Sequence, residues 1–405
     1  MNGGRKNMKR ILIVHHAMEI GGVESALLGL LESIDPTRVS VDLFLLRHEG
    51  EMLDFIPDYI HLLPSISAYT VLGRPIMTTM KEGHILLSLA RIRGKFKAVQ
   101  YEKRHHLGMS AVAIEYSHKY TKMFMPAIQP DIEYDLAISF MSPHYYVAEK
   151  VRAKKKIAWI HTDYSITQID MKSELKMWSE YDHIASISEN VTDTFLSTFP
   201  SLKNKIILIE NIMPMQYMSQ LADEFSAKEE MPKSEVSLLT IGRFCNAKRM
   251  DEIPQICKRI RERGIDAKWY LIGFGGDEAL IRQRIAEAGA EDYVIILGKK
   301  ENPYPYIKAC DIYVQPSRYE GKSVAVREAQ ILGKPVIITN YATAASQLND
   351  GIDGVIVPMD IDACADGIIK VIKDKRLQET LIENTKKTDY TNASEINRFY
   401  DLMGE

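Results

Sequence analysis

Along most of the chain, short apolar runs alternate with longer stretches whose apolar positions recur every three or four residues. "RILIVHH" is followed by "GGVESALLGLLESI" and then by "VSVDLFLLR"; "YDLAISF", "KKKIAWIH" and "HIASISE" come later. Brief continuous runs of Val, Ile and Leu read as buried strands, and the wider repeat reads as helices that turn one face inward. Strands of this kind separated by helices imply a parallel sheet covered on both faces.

The rhythm stops at "ENIMPMQYMSQLADEFSAKEEMPKSE", a Met-rich, charged stretch with Pro214 and Pro232. It restarts with "VSLLTIGRF", a helix near Met250–Arg263, "AKWYLIG", a helix near Glu278–Ala288, "YVIILG", "DIYVQPS", a helix near Ser323–Leu332 and "PVIITN". The pattern predicts an α/β protein of two doubly wound, Rossmann-like domains with a ligand cleft between them at the C-terminal strand ends. The expected boundaries are an N-terminal domain at 1–212, a linker at 213–234, a second domain at 235–385, and a C-terminal helix at 386–405 packing back on the first. One segment, 65–130, has no convincing strand and is dense in Lys and Arg around "ARIRGKFKAVQYEKRHH". A solvated helical hairpin and a basic face for an anionic membrane or a phosphate-bearing acceptor both fit it.

A length of 405 residues suits two domains, and a net charge of -3 disfavours a nucleic-acid partner by bulk electrostatics. No apolar run reaches the length of a membrane span, and Ile11–Val14 is too short for a signal-peptide core, so a cytoplasmic setting is expected. The four cysteines lack any CxxC spacing, which argues against a zinc site or a disulfide framework.

Three loops carry candidate chemistry. Gly21-Gly22 follow the first strand and open a helix, where backbone amides can approach an anion, although the loop is not GxGxxG. Arg243 and Lys248 in "TIGRFCNAKRMD" lead from a strand into a helix, and two cations there suit a diphosphate. In "YEGKSVAVREAQ" the amides of Lys322, Ser323 and Val324 begin a helix, Glu320 lies in the preceding turn, and Glu328 lies in an otherwise apolar helix. An acid beside a phosphate site is better matched to hydroxyls, so Glu320 suits a sugar and Glu328 a ribose diol. Asp360-Ile361-Asp362 is formally Asp-x-Asp, but it introduces a helix, where an acidic N-cap is the ordinary explanation. No metal is expected.

Glu-x7-Glu between two strands, a Gly-Arg-x4-Lys loop and an N-terminal Gly-Gly loop together resemble the retaining glycosyltransferases of family 4, which have the GT-B fold. The likeness is strongest from Ile241 to Pro358, and "EGKSVAVREAQILGKPVIIT" is similar to bacterial enzymes that build capsular, cell-wall or lipopolysaccharide glycans. The resemblance implies a metal-independent hexosyltransferase that uses a nucleotide diphosphate sugar, UDP-sugar before GDP-sugar, and no cofactor. Its acceptor would be a hydroxyl of a glycan, lipid-linked or cell-surface polymer. It implies that Glu328 holds the ribose, that Glu320 and His161 face the donor sugar, and that the base lies along 298–304 with Lys299. Arg243, Lys248, Gly21, Gly22, Gly321, Lys322, Ser323 and Val324 would hold the diphosphate. The basic segment adds an expected contact with the inner face of the membrane through residues 81–106, if their basic face is used. A nucleotide-sugar epimerase of the same fold, or a non-catalytic sugar-nucleotide-binding protein, remains the alternative.

Overall fold

Short strands rich in Val, Ile and Leu are buried on both faces in the computed structural model, which describes residues 8–108, 110–162, 164, 167–232, 234–320 and 323–404. The chain divides into two units, Met1–Pro214 with Asn392–Glu405, and Met215–Thr391. The first holds β1 (Lys9–His15), β2 (Val39–Leu45), β3 (His61–Leu62), β4 (Tyr134–Ser139), β5 (Ala153–Ile160), β6 (His183–Ser186) and β7 (Ile206–Leu208). These form one parallel sheet in the order β3-β2-β1-β4-β5-β6-β7.

The second unit holds β8 (Val236–Ile241), β9 (Ala267–Ile272), β10 (Val294–Gly298), β11 (Ile312–Gln315), β12 (Val336–Thr339) and β13 (Val355–Val357). Its parallel sheet runs β10-β9-β8-β11-β12-β13. Each sheet therefore reverses its strand order at its first strand, between β1 and β4 and again between β8 and β11. Such a reversal leaves a crevice beyond the C-terminal ends of the two diverging strands, the usual seat of a ligand in this kind of sheet.

Helix faces follow the expected period. Ile253–Glu262 buries Ile253, Ile256, Cys257 and Ile260 against β9 and its neighbours. Burial raises the Cys257 thiol to about 12, so it behaves as a small apolar group. Segment 65–130 contains the helices Ile76–Lys81, Ile85–His105 and Val112–Thr121, and the last two pack as a hairpin. Gly94 permits that close approach, because a Cβ there would lie 2.8 Å from the Tyr116 carbonyl oxygen.

Two boundaries differ from the expected ones. Residues 213–234 are not a bare connection, because they contain the helix Met215–Ala222, which belongs to the second unit and buries Tyr217, Met218 and Ala222. Tyr217 packs edge-on to Tyr304 with ring centroids 6.5 Å apart. Its apolar positions are helical in spacing, but two turns among charged neighbours are too few to show a period. The chain also crosses back at Asn392, later than 386, since the helix Lys375–Lys387 still belongs to the second unit.

Inside the second sheet, Thr240 Oγ1 donates to the Val314 carbonyl at 2.6 Å and accepts the Trp269 indole N–H at 2.9 Å, all fully buried. Thr240→Val keeps the shape and strands the indole donor, which costs about 1–3 kcal/mol. The expected outcome is a lower urea midpoint for the second unit, read by Trp269 fluorescence.

Candidate functional site

Each unit gathers its candidate residues at the strand-order reversal. In the first, β1 ends at the buried His15, and Gly21 adopts an extended backbone just before the helix Gly22–Glu32. Glu24 in the first turn folds back over this loop, since a Cβ on Gly21 would lie 2.3 Å from its Oε2. A Cβ on Gly22 would meet nothing within 4 Å. His15 Nε2 stands 3.5 Å from Glu24 Oε1. Burial opposes ionisation of Glu24, but the His15 side chain and the residue's own backbone N–H outweigh it and hold the carboxyl below its ordinary value.

His161 follows β5, and Phe140, just after β4, packs against it at 4.8 Å and against His15 at 5.9 Å between ring centroids. The first unit thus brings Gly21, Gly22 and His161 together and adds Glu24 and His15, which the motif reading passed over. The signal was present in "VHHAMEIGGVE", where a strand ends in His and an acid follows the glycines. His161 Nε2 is buried, with no hydrogen-bond partner among the described residues. Burial and the nearby His15 push its pKa down to about 4, so near neutrality it is an uncharged imidazole.

In the second unit the loop after β8 crosses to the loop after β11. Lys248 Nζ donates to Glu320 Oε1 at 2.5 Å, with side chains 20% and 10% exposed. The same Oε1 accepts Ser317 Oγ at 2.7 Å, and Gln315 Nε2 stands 3.4 Å away. Gln315 is itself held by Tyr313, whose hydroxyl donates to Gln315 Oε1 at 2.7 Å. Lys248 and Glu320 are therefore one cluster, a contact that their separate motifs did not suggest.

The loop backbone is held by further ions. Arg249 has a left-handed φ of 55°, is buried, and donates to Glu252 Oε2 at 2.8 Å and to the Met359 carbonyl. Arg318 pairs with Asp251 at 2.8 Å and Glu252 at 2.7 Å and donates to the Asn246 carbonyl at 2.8 Å. Arg249, at the helix start, thus has its counter-charge within the protein and requires no bound anion. Arg243 is exposed and has no ion-pair partner among the described residues.

A second glycine loop, "GFGG" after β9, went unmarked in the sequence. Gly273 has φ 150° and Gly275 φ 158°, and a Cβ on them would lie 1.8 Å from the Gly242 oxygen and 2.3 Å from the Phe244 oxygen. Only glycine lets this loop lie flat on the one that bears Arg243 and Lys248. Lys299 follows β10, and its ammonium is 5.7 Å from the Phe274 ring centroid.

The helix Val324–Ile331 departs from expectation at its start. The Ser323 amide is not free, because it donates to Gln347 Oε1 at 2.6 Å and the residue is buried. Gln347, from the helix Ala344–Gln347, supplies the acceptor that an exposed helix end would seek in an anion. The Val324 side chain is exposed, and Gly321 and Lys322 lie outside the described residues. Glu328 accepts the Tyr304 hydroxyl at 3.1 Å, and burial raises its pKa above the ordinary carboxylate value. Asp360 caps the helix Ile361–Lys373 by accepting the Ala363 N–H at 3.0 Å, and Asp362 pairs with Arg259 at 3.0 Å.

Residues 222–388 match the family described as glycosyl transferases group 1. The matched residues all lie within the second unit. N-acetyl-alpha-D-glucosaminyl L-malate synthase of Bacillus anthracis is 28% identical over 43% of this chain and 44% of its own length. The capsular polysaccharide biosynthesis glycosyltransferase CapM of Staphylococcus aureus is 26% identical over 54% of this chain and 59% of its own. The chain thus spans less than two thirds of the length of these curated relatives. Anabaena HepE, solved in complex with UDP, superposes with a TM-score of 0.56 at 14% identity over 98% of this chain and all of that one. The whole chain therefore has the GT-B fold and resembles bacterial polysaccharide glycosyltransferases, and Lys248, Glu320 and Glu328 lie within the residues matched to group 1.

Two outcomes are expected from this geometry. Gln347→Ala removes the acceptor from the buried Ser323 amide, which costs about 1–3 kcal/mol and should lower the urea midpoint of the second unit. In the first unit, burial lowers His161 to about 4 and His118 and His144 to about 3. An unfolded imidazole binds its proton near pH 6.5, so between there and pH 4 the unfolded chain holds more protons than the folded one. Stability is full above pH 6.5 and should fall as pH drops toward 4, read as faster hydrogen exchange in β4 and β5.

Proposed function

We propose that the protein is a retaining hexosyltransferase that moves a sugar from a nucleotide diphosphate sugar, UDP-sugar by preference, to a hydroxyl of a glycan, lipid-linked or cell-surface polymer acceptor, without a metal or other cofactor. The observation that carries this reading is the Lys248–Glu320 pair at the strand-order reversal of a group 1 glycosyltransferase domain. It sets a cation for phosphate and an acid for sugar hydroxyls within one hydrogen bond of each other. The UDP bound by Anabaena HepE supports the choice of nucleotide, and the polysaccharide role in the name of S. aureus CapM supports the acceptor class.

On this reading Lys248 spends one N–H on Glu320 and turns the others to the diphosphate, with the exposed Arg243 as a second cation. Glu320, held by Ser317, accepts from donor sugar hydroxyls. Glu328 accepts from the ribose, and its half-buried carboxylate is matched to a hydroxyl donor. Residues 298–304, Lys299 among them, face the base, and Gly321, Lys322 and the Val324 amide complete the phosphate cradle. His161, neutral, offers a ring nitrogen to the sugar. The acceptor oxygen attacks the anomeric carbon from the side that the diphosphate leaves. The bond to the β-phosphate oxygen breaks, and that oxygen takes the acceptor's proton, so the configuration is kept. Fixed charges stabilise the departing diphosphate, and no protein base is required. The setting proposed is the cytoplasm at the inner face of the membrane. Among the described residues no helix is long and apolar enough to cross a bilayer.

The test is a hydrolysis and transfer screen with UDP- and GDP-sugars, with the product's anomeric configuration read by NMR. UDP-sugar turnover with retention, unaffected by EDTA, is expected, and an inverted product would overturn the mechanism. Lys248→Ala should lower kcat about 10²–10³-fold. A loss below tenfold would remove its assigned role.

A further inference from the structure

The helix Ile85–His105 is apolar on two opposite sides. Leu87, Ala90, Gly94 and Ala98 turn inward, where Gly94 meets the backbone of Tyr116. Ile85, Leu89, Ile92, Phe96 and Val99 are all exposed, with Phe96 66% open to solvent. Their spacing of four, three, four and three places them in a single outward stripe, opposite the buried one. A solvated helix face would carry polar groups there, so the stripe requires a partner.

The charges bordering the stripe indicate which partner. The helix carries six Lys and Arg against Glu102 alone, within a chain whose net charge is -3. At about 100° per residue, Arg93, Lys97 and Arg104 project along one edge of the stripe and Lys95 along the other. Arg91 faces inward and donates to the Val71 and Leu72 carbonyls, and Lys103 lies in line with the stripe beyond Val99. A second copy of the chain would bring the same basic edges against each other. An anionic bilayer offers hydrocarbon to the stripe and lipid phosphates to both edges. With that charge the helix cannot cross the bilayer, but it can lie in the plane of the interface.

We infer that this outward face docks the protein on an anionic membrane, with the stripe from Ile85 to Val99 sunk among the acyl chains and the flanking basic residues at the headgroups. The basic segment anticipated in the sequence is thus an apolar face with basic edges. The inference deepens the proposed function, on which it rests for its purpose, by giving a lipid-linked acceptor a surface on which to be met. Its physical basis is the helix alone.

The experiment is flotation of the full chain with phosphatidylcholine vesicles, with and without phosphatidylglycerol. Flotation with the anionic vesicles only is expected, together with a blue shift of added emission from a Phe96→Trp variant. The double variant Leu89→Glu, Phe96→Glu should lose on the order of tenfold or more in vesicle binding. Its lipid-free donor hydrolysis should be unchanged, which also reports that it folds. No flotation at low salt, or equal flotation of the double variant, overturns the inference. So does a dimer in solution that Phe96→Glu dissociates, because the stripe would then belong to a second copy. Hydrolysis without flotation removes only the docking surface, and flotation without hydrolysis removes only the proposed chemistry.

Discussion

A lysine and a glutamate that meet across two diverging strands set the terms for the rest of the second unit. Lys248 and Glu320 come from loops after β8 and β11, and their side chains are mostly withdrawn from water. Removing two charges from solvent is costly, and only close geometry with further hydrogen bonds offsets it. Ser317 and Gln315 supply those bonds, while Arg249, Glu252, Arg318 and Asp251 hold the loop that carries the lysine. Gly273 and Gly275 let the loop after β9 press against this one without a side chain between them. The result is a cation held in place by its surroundings, with little loop ordering left to do.

The first unit presents a different chemistry. His161 is packed against the Phe140 and Trp159 rings and kept uncharged by burial, and Glu24 beside the glycine loop lies 3.5 Å from His15. Such a surface offers hydrogen bonds without strong charge, which suits hydroxyl-rich ligands better than phosphates. Glu24 over Gly21 points the same way, because a carboxylate already occupies the helix end that an anion would seek. The open space at Gly22 is the part of that loop still accessible to a ligand.

How much of this was legible in the residues differs between fold and site. Alternating strands and helices reveal themselves by local period, so both sheets and the pairing of each first strand with a helix could be read directly. The helix Met215–Ala222 could not, being two turns long with charged neighbours. At the site, Arg243, Lys248, Glu320 and Glu328 stood out by type and by loop position. Gln347 did not, because nothing in "AASQLND" announces that its amide oxygen will satisfy the Ser323 amide twenty-four positions away.

By itself the sequence determined the α/β class, the tandem repeat, the loops that carry charge and the basic segment, since all of these depend on neighbours close in the chain. Only the tertiary structure decided which charges neutralise each other, which amide is already bonded, and that the basic helix turns an apolar stripe outward. Those outcomes depend on which residues, distant in sequence, the sheets bring within a hydrogen bond, and on which side of a helix its neighbour covers.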